Sequence, residues 1–400
     1  MRGLQNGILS IMLVLLIISA CTSKYSRNIS ELNYLLDSLK TQYAPDTRIE
    51  LWNLSVNKAE GIIHLSGEVA DKETFRVISE FVSERFKEVK NELILLPEDE
   101  NGRIVNGLIT NSVGQMRSEP RHMADIVSQA LLGTPVRILK RERDWCLVQT
   151  PNLYLGWIDS AAVEPINTEE LLLLKQSKKI IYNRQYGFSY SEPNDRSMAV
   201  SDLVIGCILN VRVERGGFYN VEYPDGRIAW VKKSEAIEFD EVLDRTPEKK
   251  ALIETALKFN GVPYLWGGAS SKALDCSGFS SMIYFMNGMQ LMRDASQQVH
   301  CGELISSEYK YDELEVGDLL FFGRQANDTQ AEKVSHVAMY IGDSEFIHAS
   351  GRVRINSMNP EKSNFIPEYP GKFIRTMRII GIEDEGCQPV CENKFYKEII

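Results

Sequence analysis

Cys276 is the residue of this sequence with the clearest capacity for chemistry. It lies between Asp275 and Ser277, downstream of a Tyr-Leu-Trp-Gly-Gly run that starts at Tyr264. After it, apolar side chains fall at Phe279, Met282, Ile283 and Met286. That i, i+3, i+4, i+7 spacing predicts a helix that opens at or just before Cys276. Helix N-termini favour anions, so a thiol there is expected to lose its proton readily, and the thiolate is the nucleophile. A structural cysteine would have apolar neighbours. Asp275, Ser277 and Gly278 instead have the chemistry of an exposed turn.

A thiol hydrolase also needs a base, and the chain has five histidines: His64, His122, His300, His336 and His348. His64 and His122 fall in earlier segments and are not expected to reach Cys276. His336 and His348 lie in KVSHVAMYIGDSEFIHASGRV, residues 333–353, which reads as two strands around Gly342-Asp343-Ser344. Alternation puts His336, Ala338 and Tyr340 on one face and Val337, Met339 and Ile341 on the other. His348 joins the His336 face only if the loop is odd in length or a bulge shifts the register. A polar face with two solvated histidines is the alternative. A helix-start Cys, a strand His and a second His twelve residues later follow the order of a papain-like Cys–His–polar triad.

The elements that must position these residues begin near 245. Thr246-Pro247-Glu248 is a helix start with Pro at the first helical position, and Gly261 and Pro263 end that helix. This last domain is expected over 245–385. Before it, a repeat with an offset of 73 relates Ser118-Glu119-Pro120 to Ser191-Glu192-Pro193, Gly133 to Gly206, Trp145 to Phe218, and Trp157 to Trp230. Short β-branched and aromatic runs broken by Gly, Pro and Asp predict two small all-β barrels, at 104–166 and 170–240. Trp145, Trp157, Trp230 and Phe218 read as barrel core. Residues 22–100 read as a polar tether followed by a small α+β unit, with strands at 48–56, 61–70 and 92–96 and a helix at 73–89.

Composition excludes some roles. With 45 Lys plus Arg against 55 Asp plus Glu, the formal net charge is -10 and no basic stripe is present, so no nucleic-acid partner is expected. Residues 1–21 have the form of a signal peptide, and Ile18-Ser19-Ala20-Cys21 resembles the bacterial lipobox. That resemblance implies lipidation at Cys21 and an exported, membrane-anchored lipoprotein of the cell envelope. Cys146 and Cys207 read as core. Cys387 and Cys391 are close enough in sequence to pair, and no zinc-type spacing is present, so no metal is expected.

The segments YLWGG, DCSGF, RDASQQ, GDLLFF, SHVAMYIG and FIHAS together resemble the NlpC-type cysteine peptidases of bacterial cell-wall metabolism, over about 245–380. The upstream repeats resemble bacterial SH3-like domains, and the N-terminal unit weakly resembles the BON type. The combination is similar to the γ-D-glutamyl-L-diamino acid endopeptidases of the dipeptidyl-peptidase VI type. The resemblance implies an α+β fold with a papain-like catalytic domain after two SH3-like barrels. It implies no cofactor, a monomer, and stem peptides of peptidoglycan as substrate. It makes Cys276 the nucleophile, His336 the base and His348 its orienting partner. Tyr264 and the Cys276 N–H become oxyanion donors. For a free-amine L-Ala-γ-D-Glu dipeptide it implies Glu119 as a buried partner of the ammonium, with Tyr154. Asp275, Ser277 and Asp294 would line the subsites, with Trp266 packed beside them. Ala295 stands where the family often has Ser.

Tyr154 does not recur in the second repeat, where Arg227 takes its place. That asymmetry assigns the special role to the first barrel. Two other readings stay open: a D,L-endopeptidase acting on intact wall, and a non-catalytic wall-binding lipoprotein.

Overall fold

The structure, a computed structural model, describes residues 28–97, 105–382, 384 and 386–399. Residues 1–21, Cys21 and most of the expected linker therefore lie outside the described residues. The chain divides into two compact units, Met1–Arg103 and Ile104–Ile400.

In the first unit, strand Trp52–Ala59 pairs antiparallel with Ile62–Val69, which pairs in parallel with Val89–Leu95. Helix Lys72–Arg85 makes the crossover, capped by Asp71, whose carboxylate accepts from Thr74 N at 2.7 Å. Ile78, Val82 and Phe86 bury their side chains with Ile63, Leu65 and Val69. The polar tether expected here is corrected. Residues 28–43 are helical, and Leu32 and Leu36 enter the same core. Ile29, Leu32, Leu36 and Leu39 form an apolar stripe at helical spacing among polar residues.

The second unit opens with the two barrels. The first orders its strands Val163–Ile166, Asn106–Ile109, Pro135–Glu142, Trp145–Gln149, Leu155–Asp159, Val113–Arg117, Ile126–Leu131. The second repeats this order from Lys179 to Glu238, with strand starts shifted by 73 residues. Even the bulges repeat, at Ile138/Lys140 and Val211/Val213. Of the four aromatics expected in the barrel cores, Trp145 is buried, whereas Trp157, Trp230 and Phe218 are only half-buried. Helix Thr168–Gln176, with an Asn167–Glu170 capping box, joins the barrels, so the second sheet begins at 179 rather than 170.

In the last domain, helix Cys276–Phe285 packs on a six-stranded antiparallel sheet. The sheet order is Glu303–Ser306, Phe373–Arg378, Leu319–Arg324, Lys333–Gly342, Glu345–Ser350, Arg352–Ser357. Nearly every residue of that helix is buried, which its apolar composition requires. The domain runs past the expected end at 385. Strand Cys387–Pro389 pairs with Met289–Leu291, and Tyr396 packs on Phe239 and Phe285 at ring-centroid distances of 6.0 and 5.7 Å. Asn393 Nδ2 donates to Pro151 O of the first barrel at 2.9 Å. Cys387 does not pair with Cys391. Both are free thiols, and Cys387 and Cys301 are both buried; the neighbouring Cys387 and burial push the Cys301 thiol up.

Candidate active site

The Cys276 helix is held by its cap. Asp275 Oδ1 accepts from Gly278 N at 2.7 Å, and Asp275 Oδ2 accepts from Gly267 N at 3.0 Å. Gly267 has φ +78°, and a side chain there would drive into the Ile126 carbonyl of the first barrel. The Tyr264–Gly268 turn is thus fixed between the cap and the barrel.

Cys276 opens the helix and is 7% exposed. The backbones of Val337 and Ser277 lie near enough to its sulfur to favour the ionised form, so the strand carrying His336 lies against the thiol. The expectation that this thiol loses its proton readily is corrected. Burial, then the Asp275 carboxylate, push the thiol up to about 12, outweighing the helix N-terminus. Cys276 is a neutral thiol until a base takes its proton.

His336 and His348 meet. Met339 pairs with Ile347 and Tyr340 with Phe346, but Gly342 pairs with Glu345, leaving Ile341 as an extra residue. The turn itself has two residues, Asp343 and Ser344, at φ 51° and 58°. A two-residue turn alone would put His348 on the far face, and the bulge returns it to the His336 face. His336 Nε2 lies 2.7 Å from His348 Nδ1. His348 Nε2 lies 2.9 Å from Asn356 Oδ1, and the Tyr369 hydroxyl lies 3.2 Å from His348 Nδ1. Burial pushes His336 down to about 3 and His348 down to about 4, with His348, Arg354 and Lys372 adding to the former. Both rings are neutral near pH 7, as a base must be. Tyr264 is half-buried near Cys276, and burial above all, then Cys276 once ionised and the Asp275 carboxylate, push its phenol up to about 12. It keeps its proton and can donate it to an oxyanion.

The first barrel reaches this site. Tyr154 is buried and its hydroxyl donates to Asp294 Oδ2 at 3.1 Å. Ala269 N donates to Gln129 Oε1 at 2.8 Å. Arg293, 1% exposed, donates through Nε to Ser128 Oγ of the barrel at 2.9 Å and forks onto Asp275 at 2.6 and 3.1 Å. Burial opposes its charge, but Asp275 more than offsets that and holds it protonated.

Other expected residues take different places. Asp275 is occupied by its cap, by Arg293 and by Ser277 Oγ at 3.3 Å, so its role is to position the helix. Ser277 is buried and also accepts from Arg293 at 3.2 Å. Asp294 forms a capping box with Gln297 as well as meeting Tyr154. The expectation of a buried Glu119 is corrected. It is exposed and paired with Arg121 at 2.8 Å, because the short Ser118–Ala124 turn puts the two side chains side by side. Trp266, expected to pack beside the acidic residues, is 71% exposed. His64 pairs with Glu92 at 3.1 Å, and the His122 ring lies 5.1 Å from Trp145. Sequence reasoning missed Arg293, Asn356 and Tyr369. Arg293 adjoins Asp294 in the RDAS stretch, and an arginine among buried acids was a legible signal.

Comparison with known proteins agrees with this geometry. Residues 261–369 match the NlpC/P60 family, and residues 116–163 match the bacterial dipeptidyl-peptidase Sh3 domain. A gamma-D-glutamyl-L-lysine dipeptidyl-peptidase of Bacillus cereus is 30% identical over 254 residues, 61% of this chain and 73% of that protein. Dipeptidyl-peptidase 6 of Lysinibacillus sphaericus is 29% identical over 289 residues, 69% of this chain and 99% of that protein. The crystal structure of an NlpC/P60 family protein from Bacillus cereus superposes with a TM-score of 0.59 at 24% identity, over 69% of this chain and 99% of that one. With a buried thiol against a histidine-bearing strand and an SH3-like barrel bonded to the same domain, the chain belongs to the NlpC/P60 family of cysteine peptidases.

Proposed function

We propose that the protein hydrolyses the γ-D-Glu–diamino acid bond of cell-wall stem peptides that carry a free N-terminal L-Ala. Support for the bond comes from the relatives, and support for the free amine comes from the Tyr154–Asp294 hydrogen bond. That contact joins the first barrel to the catalytic domain, and on this reading the Asp294 carboxylate seats the ammonium. Asp294, rather than the exposed Glu119, takes the main part of that role.

His336 takes the Cys276 proton as sulfur attacks the γ-carbonyl carbon. The Cys276 N–H, at the first helical position with no intrahelical acceptor, and the Tyr264 hydroxyl receive the developing oxyanion. As the tetrahedral species collapses, the C–N bond breaks and the imidazolium returns its proton to the leaving amine. A water deprotonated by His336 then cleaves the thioester, releasing L-Ala-D-Glu and restoring the thiol. We assign the protein to the cell envelope, anchored through a lipid on Cys21. Mass analysis of the mature N-terminus tests that anchor.

The deciding experiment compares L-Ala-γ-D-Glu-L-Lys with its N-acetylated form, with Cys276→Ala as blank. Cleavage of the free-amine peptide alone supports the reading. Equal cleavage of both marks an enzyme that acts on intact wall. No cleavage of either, nor of the diaminopimelate peptides, marks a wall-binding protein.

A further inference from the structure

The hydrogen bonds behind His348 fix where protons lie in the histidine pair. Asn356 is buried, and its Nδ2 lies 2.7 Å from the backbone carbonyl of Asn364. A carbonyl oxygen only accepts, so the NH2 end of the Asn356 amide must face Asn364. The amide oxygen then faces the other way, 2.9 Å from His348 Nε2. That oxygen also only accepts, so His348 carries its single proton on Nε2, and its Nδ1 is bare. The bare nitrogen accepts from His336 Nε2 at 2.7 Å and from the Tyr369 hydroxyl at 3.2 Å. His336 is thereby left with its proton on Nε2 and a lone pair on Nδ1 for the Cys276 thiol.

Resting on the peptidase reading above, we infer that Asn356, locked by the Asn364 carbonyl, is a positioning residue that sets the reactive tautomer of His336 from two rings away. Without its oxygen, His348 can hold its proton on Nδ1. His336 Nε2 would then accept, and the His336 proton would sit on Nδ1, pointing at the thiol it must deprotonate. The groups that shape titration here are Cys276, Asp275, Tyr264 and Arg293 on the nucleophile side. Arg354, Lys372 and Tyr369 lie on the histidine side.

The test uses the purified protein with 15N-labelled histidine, comparing the wild type with Asn356→Ala and Asn356→Asp. Nitrogen chemical shifts of His336 and His348 report the tautomer directly, and turnover of L-Ala-γ-D-Glu-L-Lys is followed against pH. The wild type is expected to show Nε2–H on both rings. Asn356→Ala should mix the tautomers and lower kcat about 10- to 100-fold with KM little changed. Asn356→Asp keeps an acceptor, so it should retain most of kcat, while its carboxylate moves the acid limb to higher pH. Unchanged tautomers and kcat in a folded Asn356→Ala protein would overturn the inference. So would an Asp variant that behaves like Ala in both readouts. The tautomer measurement needs no substrate, so failure of the peptidase reading would appear separately, as a wild type that cleaves nothing.

Discussion

The two barrels are near copies in backbone and differ in what they grip. Position for position, Gln129 of the first corresponds to Asp202 of the second, and both hold the hairpin at 269–274 of the catalytic domain. Gln129 accepts from Ala269 N at 2.8 Å, and Asp202 pairs with Lys272 at 2.7 Å. The first grip extends into the site through Ser128, Arg293, Tyr154 and Asp294. The second holds the hairpin and, through Asn183, accepts from Lys258 Nζ at 2.8 Å. Arg227, the counterpart of Tyr154, turns back onto Tyr223, Asp225 and the Thr110 carbonyl of the first barrel. The two clamps share one backbone plan, and the proposed ammonium site draws on the first alone.

Removing one clamp residue from each barrel's contact sharpens this difference most. Arg293→Ala strands a buried Asp275 carboxylate and should cost about 3–5 kcal/mol in urea unfolding. Lys272→Ala breaks a half-exposed pair with Asp202 and a hydrogen bond to Ser112 of the first barrel, and should cost about 0–1 kcal/mol. Similar losses would mean that the grips are equivalent. On activity, Asp294→Asn should lower kcat/KM for the free-amine tripeptide about 100-fold, or roughly 2.7 kcal/mol. Tyr154→Phe should lower it less, and Arg227→Ala should leave it within about 2-fold. An Arg227 effect as large as that of Asp294 would break the comparison.

Acid separates the regions differently. His122 of the first barrel is exposed, whereas His348 is fully buried with its pKa pushed down to about 4. Between the ordinary value of 6.5 and that depressed one, the unfolded chain holds a proton that the folded chain lacks. Stability is therefore complete above 6.5 and falls as pH drops, by about 1.4 kcal/mol per pH unit for this group. Hydrogen exchange at pH 5 should open strands Lys333–Gly342 and Glu345–Ser350 before the barrel strands.

The smallest contrast lies at two equivalent glycines. Gly133 has φ +77° and a side chain there would meet the Ile208 backbone, whereas at Gly206, φ +95°, it would meet the movable end of Leu131. Both alanine variants should destabilise, Gly133→Ala by about 1 kcal/mol more, measured as a difference in Tm.

Local pattern made much of this legible. The period after Cys276 gave its helix, and the 73-residue offset gave both barrels with matching strands. Balances between competing forces were not legible. Nothing in Asp275-Cys276-Ser277 says that burial outweighs the helix dipole at the sulfur. Glu119 looked free to reach a ligand because the pull of Arg121, two residues on, depends on turn geometry. Asn356 was invisible for a related reason. Its importance lies in the Asn364 carbonyl, and backbone acceptors leave no trace in residue type.

The extra residue at Ile341 makes the hairpin behave as a parity check. Between His336 and His348, adding or removing one residue exchanges His348 for a neighbour on the opposite face, while a change of two restores it. Working versions of this hairpin should therefore differ in length by even numbers, or by one residue together with gain or loss of the bulge. A single-codon deletion that keeps the bulge is a sharper lesion than many substitutions, because both histidines remain in the sequence and one turns away from its partner.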